Sequence, residues 1–417
     1  MVLDPATRII TFLQARDYLA AERLLATLLE HEPGDAPTRS LRALCLGELG
    51  RFAEAEAQAR RAVETEPYRA YCHWALGSVL ADCRRWAEAM ESADDALAME
   101  PENADHHALL CRCLMGLRRW DEALDAADDG LEMEPDHAGC ANLRALILQD
   151  RGRLDEAEQA FVDAAATDPD NAFARAGRGW SALRRGETPG RAIEHFEHAL
   201  RIDPQSEWAR EGLMASLKAR NPVYRAMLRY FMWMDRLSRG ARMGIIFGGL
   251  LGYNLARRIS EAQPQTVPFL YPLMGLYLLF VLLTWVADPV FDFLLRFDPQ
   301  GRKMVPRERA RAGGLVVALL CAALVAAGVG IATGTEGALL PALMLGLLAL
   351  PVSAMVRLSP GRPRTALAAY LAIVSAAGVA GVVLPGDTGD VLLGGSLLGL
   401  VIGSWIAVGM SAMRAAR

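Results

Sequence analysis

Prolines recur at Pro33, Pro67, Pro101, Pro135 and Pro169 at one unvarying step, and Pro204 follows one residue late. A step held this strictly means one small unit copied end to end. Such a chain stacks its copies into a solenoid, because no single copy buries its own apolar face. Each proline closes a helical stretch on an acid: Glu32, Glu66, Glu100, Glu134, Asp168 and Asp203. Other columns keep the same step. Ala21, Ala55, Ala89, Ala123, Ala157 and Ala192 stand at one fixed distance before their prolines. A second column reads Ile9, Ala43, Gly77, Cys111, Ala145 and Gly179, and a third reads Tyr18, Phe52, Trp86, Trp120 and Leu154. Small residues at fixed points let two antiparallel helices approach closely, and the large side chain fills the space beside their turn. The proline stops the second helix, because it has no N–H and disfavours helical geometry in the residue before it.

The pattern resembles the tetratricopeptide repeat, a helix–turn–helix unit of about 34 residues. The resemblance runs across residues 2–206 as six units. No unit carries the tryptophan usual early in the family's first helix; Trp74 lies one residue beyond it. The sixth unit has "GETPG" at its inter-helix turn, the source of the late proline. Residues 207–220 read as a closing helix, since a solenoid needs its last apolar face covered.

The resemblance implies a concave groove, lined by the first helices, that holds a peptide or a partner's helix. Carried over residue by residue, the groove positions are Tyr71, Trp74, Ser78 and Asp82 in the third unit. Asp105, Arg112 and Met115 follow in the fourth, Asn142, Leu146, Gln149 and Asp150 in the fifth, and Phe173 and Arg184 in the sixth. Aromatic and arginine anchors suit a mixed apolar and polar ligand. The family's chaperone-binding members clamp a carboxylate with several Lys, Arg and Asn side chains. Here only Arg112 and Asn142 match that chemistry, so a chaperone adaptor is not expected.

Charge divides the chain. Residues 1–220 carry 40 Asp and Glu against 26 Lys and Arg, a net of −14; residues 221–417 carry 9 against 18, a net of +9. The acidic front argues against nucleic acid, whose phosphates need a basic face. The chain's 53% apolar content is concentrated in the back half. Apolar segments lie at about 241–256, 268–287, 313–333, 337–356, 366–384 and 391–412, most of them long enough to cross a hydrocarbon core of roughly 30 Å. The first, held between Arg242 and Arg257, is the shortest. With six spans and the repeats in the cytoplasm, the stretch 288–312 places six basic residues inside, 357–365 places three, and the tail places two. Only Arg257 and Arg258 then fall outside, in keeping with the positive-inside tendency. The expectation is an all-α chain: a solenoid at 2–206, a cap at 207–220, an amphipathic helix at 221–239 and a membrane domain of about six helices at 240–417.

Within the back half, Val223, Met227, Tyr230, Phe231, Met234 and Leu237 form an apolar stripe suited to a membrane interface. Arg302, Lys303, Arg307, Arg309 and Arg311 form a basic loop for anionic lipid. Gly244, Gly248 and Gly252, and likewise Gly395, Gly399 and Gly403, form ridges that let helices touch within the bundle or across a homo-oligomer.

No catalytic chemistry is legible. No histidine follows His198, and neither a nucleotide loop nor zinc-ligand spacing occurs, so no cofactor or metal is expected. The seven cysteines include no CxxC pair. Cys45 and Cys113 share one repeat position, Cys72 and Cys140 another, as small buried hydrophobes would. With no long apolar stretch at the N-terminus, they suggest reduced thiols in a cytosolic setting. The expected function is a bacterial inner-membrane adaptor, with both termini cytoplasmic, that binds a protein partner. The alternative is a transporter or membrane enzyme regulated by the solenoid.

Overall fold

The computed structural model describes residues 4–334, 339–355, 358, 361–384 and 387–415, and among these every regular element is a helix. Parts of the expected segment 337–356 and of the stretch 357–365, together with residues 1–3 and the last two, lie outside the described residues. The chain divides into two compact units, residues 1–209 and 210–416.

The first unit is six helix pairs: α1 (Pro5–Gln14) and α2 (Tyr18–His31), α3 (Ala36–Glu48) and α4 (Phe52–Thr65), α5 (Ala70–Asp82) and α6 (Trp86–Met99), α7 (Ala104–Gly116) and α8 (Trp120–Met133), α9 (Ala138–Asp150) and α10 (Leu154–Thr167), α11 (Ala172–Arg185) and α12 (Pro189–Ile202). The proline column acts as the sequence suggests. Glu100, which ends α6 before Pro101, leaves helical geometry at φ −134°, ψ 77°, where the proline ring no longer clashes with it. The small columns lie at the closest contacts. All six column alanines are fully buried. A Cβ at Gly77 would meet Leu109 at 2.8 Å, and one at Gly179 would meet the Phe196 ring at 2.8 Å.

A column not legible beforehand sits at the turn inside each pair. Arg16, Gly50, Arg84, Arg118, Gly152 and Gly186 all hold positive φ, between 54° and 79°. Every unit needs a left-handed residue there to reverse the chain, and three of the six use arginine.

Along the stack, α3 packs on α5, α5 on α7, α7 on α9 and α9 on α11. Each second helix reaches the next pair through that pair's first helix. The first-helix layer is therefore the closely knit, inner layer.

A further helix, α13 (Glu207–Lys218), follows, and the division between the units falls inside it. The second unit continues with α14 (Pro222–Arg236), α15 (Arg239–Ala262), α16 (Val267–Leu294), α17 (Gly301–Met304), α18 (Arg307–Thr333), α19 (Leu339–Met355), α20 (Arg362–Val383) and α21 (Asp387–Ala415). Central α19 packs against α16, α18, α20 and α21, whereas α15 packs on α16. The outer faces are strongly apolar: Phe269 is 79% exposed and Ile331 77%, and Leu324, Ile373 and Val391 are comparably open. A surface of this kind needs a non-aqueous neighbour.

Among the described residues, three stretches are long and apolar enough to cross a membrane: Pro264–Phe297, Arg307–Thr333 and Pro363–Val382. The shorter Leu340–Met355 and Val391–Ala407 are also apolar. The first expected segment, 241–256, lies within α15, which is not among the three.

Some expectations need correction. The segment taken to end at residue 287 runs on as helix to Leu294, with Pro289 inside it. Arg307, Arg309 and Arg311 accordingly belong to the first turns of α18 rather than to a loop. The apolar stripe of α14 is split. Met227 is buried with Tyr224 against Ala287 and Phe291, while Val223 and Phe231 face outward. Gly399 and Gly403 abut Val374, Leu371 and Tyr370 of α20, but a Cβ at Gly244, Gly248, Gly252 or Gly395 would meet nothing within 4 Å. Among the described residues, those four glycines have no close neighbour that a side chain would meet.

Candidate functional site

The first-helix layer presents a graded series of side chains. On α5, Tyr71 and Trp74 stand three residues apart and share a face. Their rings stack with centroids 5.5 Å apart and planes at 24°, and both are half-buried. Burial pushes the Tyr71 hydroxyl up to about 12, so it stays a neutral phenol and a hydrogen-bond donor. Ser78 and Met115 are half-buried and Asp82 and Asp105 exposed.

Arg112 on α7 donates from Nη2 to the Ser78 carbonyl oxygen at 2.9 Å, and the same nitrogen lies 3.2 Å from Asp82 Oδ1. Burial raises the Asp82 carboxyl above its usual range, with Arg112 opposing the shift. Two units on, Arg184 repeats the device, donating from Nη1 to the Gln149 carbonyl oxygen at 3.2 Å and to Asp150 Oδ1 at 2.8 Å. Each arginine ties one first helix to the preceding one and is matched by a carboxylate.

Gln149 departs from expectation. It is 1% exposed, and its Nε2 donates to Ser181 Oγ at 2.9 Å and to the Gly177 carbonyl at 3.4 Å. It joins α9 to α11 and faces no groove. Asn142 is half-buried, its Oδ1 accepting from Asn171 Nδ2 at 3.4 Å. Leu146 is half-buried beside the Phe161 core.

Phe173 is exposed and belongs to an aromatic run. It stacks on Trp208 at 4.6 Å; Trp208 lies 6.3 Å from Trp180, which meets Phe196 edge-on at 5.5 Å. Trp180 and Trp208 were missed as groove residues. The signal was present: Trp208 follows Phe173 at the same late step that separates Pro204 from Pro169. The α13 helix therefore begins as a seventh first helix.

The thiols have no place in this chemistry. Cys45, Cys72, Cys111, Cys113 and Cys140 are buried, and burial pushes Cys45 and Cys113 up to about 11 and Cys140 to about 12. They remain protonated and inert near neutral pH.

In the second unit, Lys218 Nζ lies 2.6 Å from Asp292 Oδ1 and 3.5 Å from Asp288 Oδ1. Tyr224 donates its hydroxyl to Asp288 at 3.2 Å. Lys218 is 9% exposed and Asp292 7%. They line a cavity of about 360 Å³ shared with Glu211, Met214, Arg309 and Ser353. Sequence alone hid this group, because Lys218 lies far in the chain from Asp288 and Asp292. Arg302, Lys303, Arg307, Arg309 and Arg311 are all exposed.

A stack of helix pairs in which each first helix packs on the next defines a class: the helical-repeat solenoids. Family models of the tetratricopeptide repeat match residues 12–76, 80–147 and 142–207. Residues 12–207 are tetratricopeptide repeats. No curated protein matches the chain. Similar solved structures include TTC0263, a thermophilic tetratricopeptide protein of Thermus thermophilus, at 20% identity and a TM-score of 0.41 over 44% of this chain and 98% of that one. YrrB, a tetratricopeptide protein with an unusual peptide-binding site, is 23% identical with a TM-score of 0.32 over 45% and 96%. PilF of Pseudomonas aeruginosa is 18% identical with a TM-score of 0.39 over 50% and 94%.

Proposed function

We propose that this chain is an adaptor anchored in a bacterial inner membrane, whose solenoid groove captures a protein or peptide partner at the cytoplasmic face. The observation that carries the proposal is the stacked, half-buried Tyr71–Trp74 pair on the first-helix layer of a repeat array followed by membrane-length helices. Buried aromatic and arginine anchors commonly dominate such interfaces. The back half is read as a six-helix anchor, 240–417, with both termini in the cytoplasm. The distribution of arginine supports that sidedness. Arg307, Arg309 and Arg311 sit on the first turns of α18, where a helix dipole disfavours positive charge. They do not serve the helix itself, and we assign them, with Arg302 and Lys303, to anionic lipid headgroups.

Crosslinking and affinity purification from native membranes tests the groove. Tyr71→Ala and Trp74→Ala are each expected to weaken capture of the wild-type partner by roughly 30-fold, from about 2 kcal/mol per anchor, with unchanged helicity. Wild-type capture by both folded variants would refute the assignment.

A second possibility, that the back half has an activity of its own, is favoured by one observation: the Lys218–Asp292 cavity. Loss of a transport or enzymatic phenotype on Asp288→Asn, with partner capture intact, would favour it.

A further inference from the structure

The groove's arginines are spent on the protein itself, and its more exposed charges are acidic. Arg112 and Arg184 are each matched by Asp82 or Asp150 and a backbone carbonyl. The Arg184 side chain is 25% exposed and that of Asp150 40%, Arg112 and Asp82 are equal at 39%, and Asp105, whose Oδ1 lies 3.2 Å from His137 Nε2, is 65% exposed. Glu48 is exposed at the end of α3. It stands one repeat before Asp82 and three before Asp150 in the same column. Taken together, Glu48, Asp82, Asp105 and Asp150 outnumber the two arginines by two carboxylates, on a half-chain whose net charge is −14.

From this charge pattern we infer that the groove's occupant is a basic segment: an extended peptide alternating Lys or Arg with aromatic or large apolar side chains. The apolar residues meet the Tyr71–Trp74 and Phe173–Trp208 stacks. The cationic residues meet the acidic column, and an acidic segment is repelled by it. This deepens the proposed adaptor function and depends on the groove being the partner site. Cation–π contact with Trp74 adds to the preference.

The test uses the full chain in nanodiscs of neutral lipid, with empty nanodiscs as control. The probes are a short fluorescent peptide alternating lysine and phenylalanine and its glutamate–phenylalanine counterpart. The lysine peptide is expected to bind, and to weaken about tenfold between low and high salt. Combining Glu48→Gln with Asp105→Asn, neither of which frees an arginine, should weaken it about fivefold. Trp74→Ala should weaken it about 30-fold, and Glu91→Gln on the outer face should change little. Preference for the glutamate peptide, still lost on Trp74→Ala, would overturn the charge assignment and leave the groove as the site. Lysine-peptide binding untouched by both the groove carboxylate changes and Trp74→Ala would overturn both. Binding of neither peptide would overturn the basic-segment assignment.

Discussion

The left-handed turn residue is where single side chains matter most to the solenoid. Arg84 and Arg118 hold φ of 58° and 61°, a conformation that costs a residue with a Cβ roughly 1 kcal/mol or more. Arg84→Gly and Arg118→Gly should each raise stability by about 0.5–1 kcal/mol after the unfolded-state entropy of glycine is offset. Gly152→Ala should lower it by about 1 kcal/mol, read as a shift in the urea midpoint at constant slope. His195 makes a second case. Burial, then the nearby Arg178, Arg175 and Arg191, push its imidazole down to about 4, with Glu187 opposing. The unfolded chain takes up that proton near the ordinary histidine value of about 6.5. Its contribution is thus complete above about pH 6.5 and is lost as pH falls toward 4. Melting of the repeat half between those limits should show a falling midpoint, and His195→Gln should flatten part of that fall.

At the scale of elements, Lys218 at the end of α13 meets Asp288 and Asp292 of α16 beside an apolar cluster of Tyr224, Met227, Ala287 and Phe291. A Lys–Asp pair at 2.6 Å with both partners buried costs desolvation that its attraction barely offsets, so such a pair is a stronger device for specificity than for stability. Lys218→Ala alone should cost about 3–5 kcal/mol, because it strands Asp292. Lys218→Met combined with Asp292→Leu should recover most of that loss. A double-mutant cycle on detergent-solubilised protein measures it, and a coupling near zero would mean that solvent already screens the pair.

Two outcomes belong to the molecule as a whole. The repeat half has its own core, from the Ile9–Leu25 cluster to the Phe161 cluster, so residues 1–220 should be soluble, helical and cooperatively unfolding when made alone. Failure to fold would mean that the membrane half completes the solenoid's end. Sidedness is tested with a reporter fused after Arg417, expected to be active only in its cytoplasmic form. An exported C-terminus would exclude six spans with cytoplasmic repeats.

The repeat architecture was legible in the sequence because it is periodic. A unit that must dock on copies of itself needs the same small residue at each close contact, so Ala89, Gly77 and Pro101 announce their roles through counterparts one repeat away. Aperiodic decisions were hidden. Nothing in the string distinguished Gln149, turned inward to Ser181, from Asn142 on the same helix, because the choice rests on a serine of the next unit finding the same space. The pairing of Arg112 with Asp82 was equally hidden, since it depends on how α7 lies against α5. In the second unit, hydropathy located the apolar segments, since that property adds along the chain. It could not reveal that Lys218 and Asp292, far apart in the chain, neutralise one another, or that Gly399 packs on Val374 while Gly248 faces outward. Those depend on which helices become neighbours, and only the tertiary structure decides that.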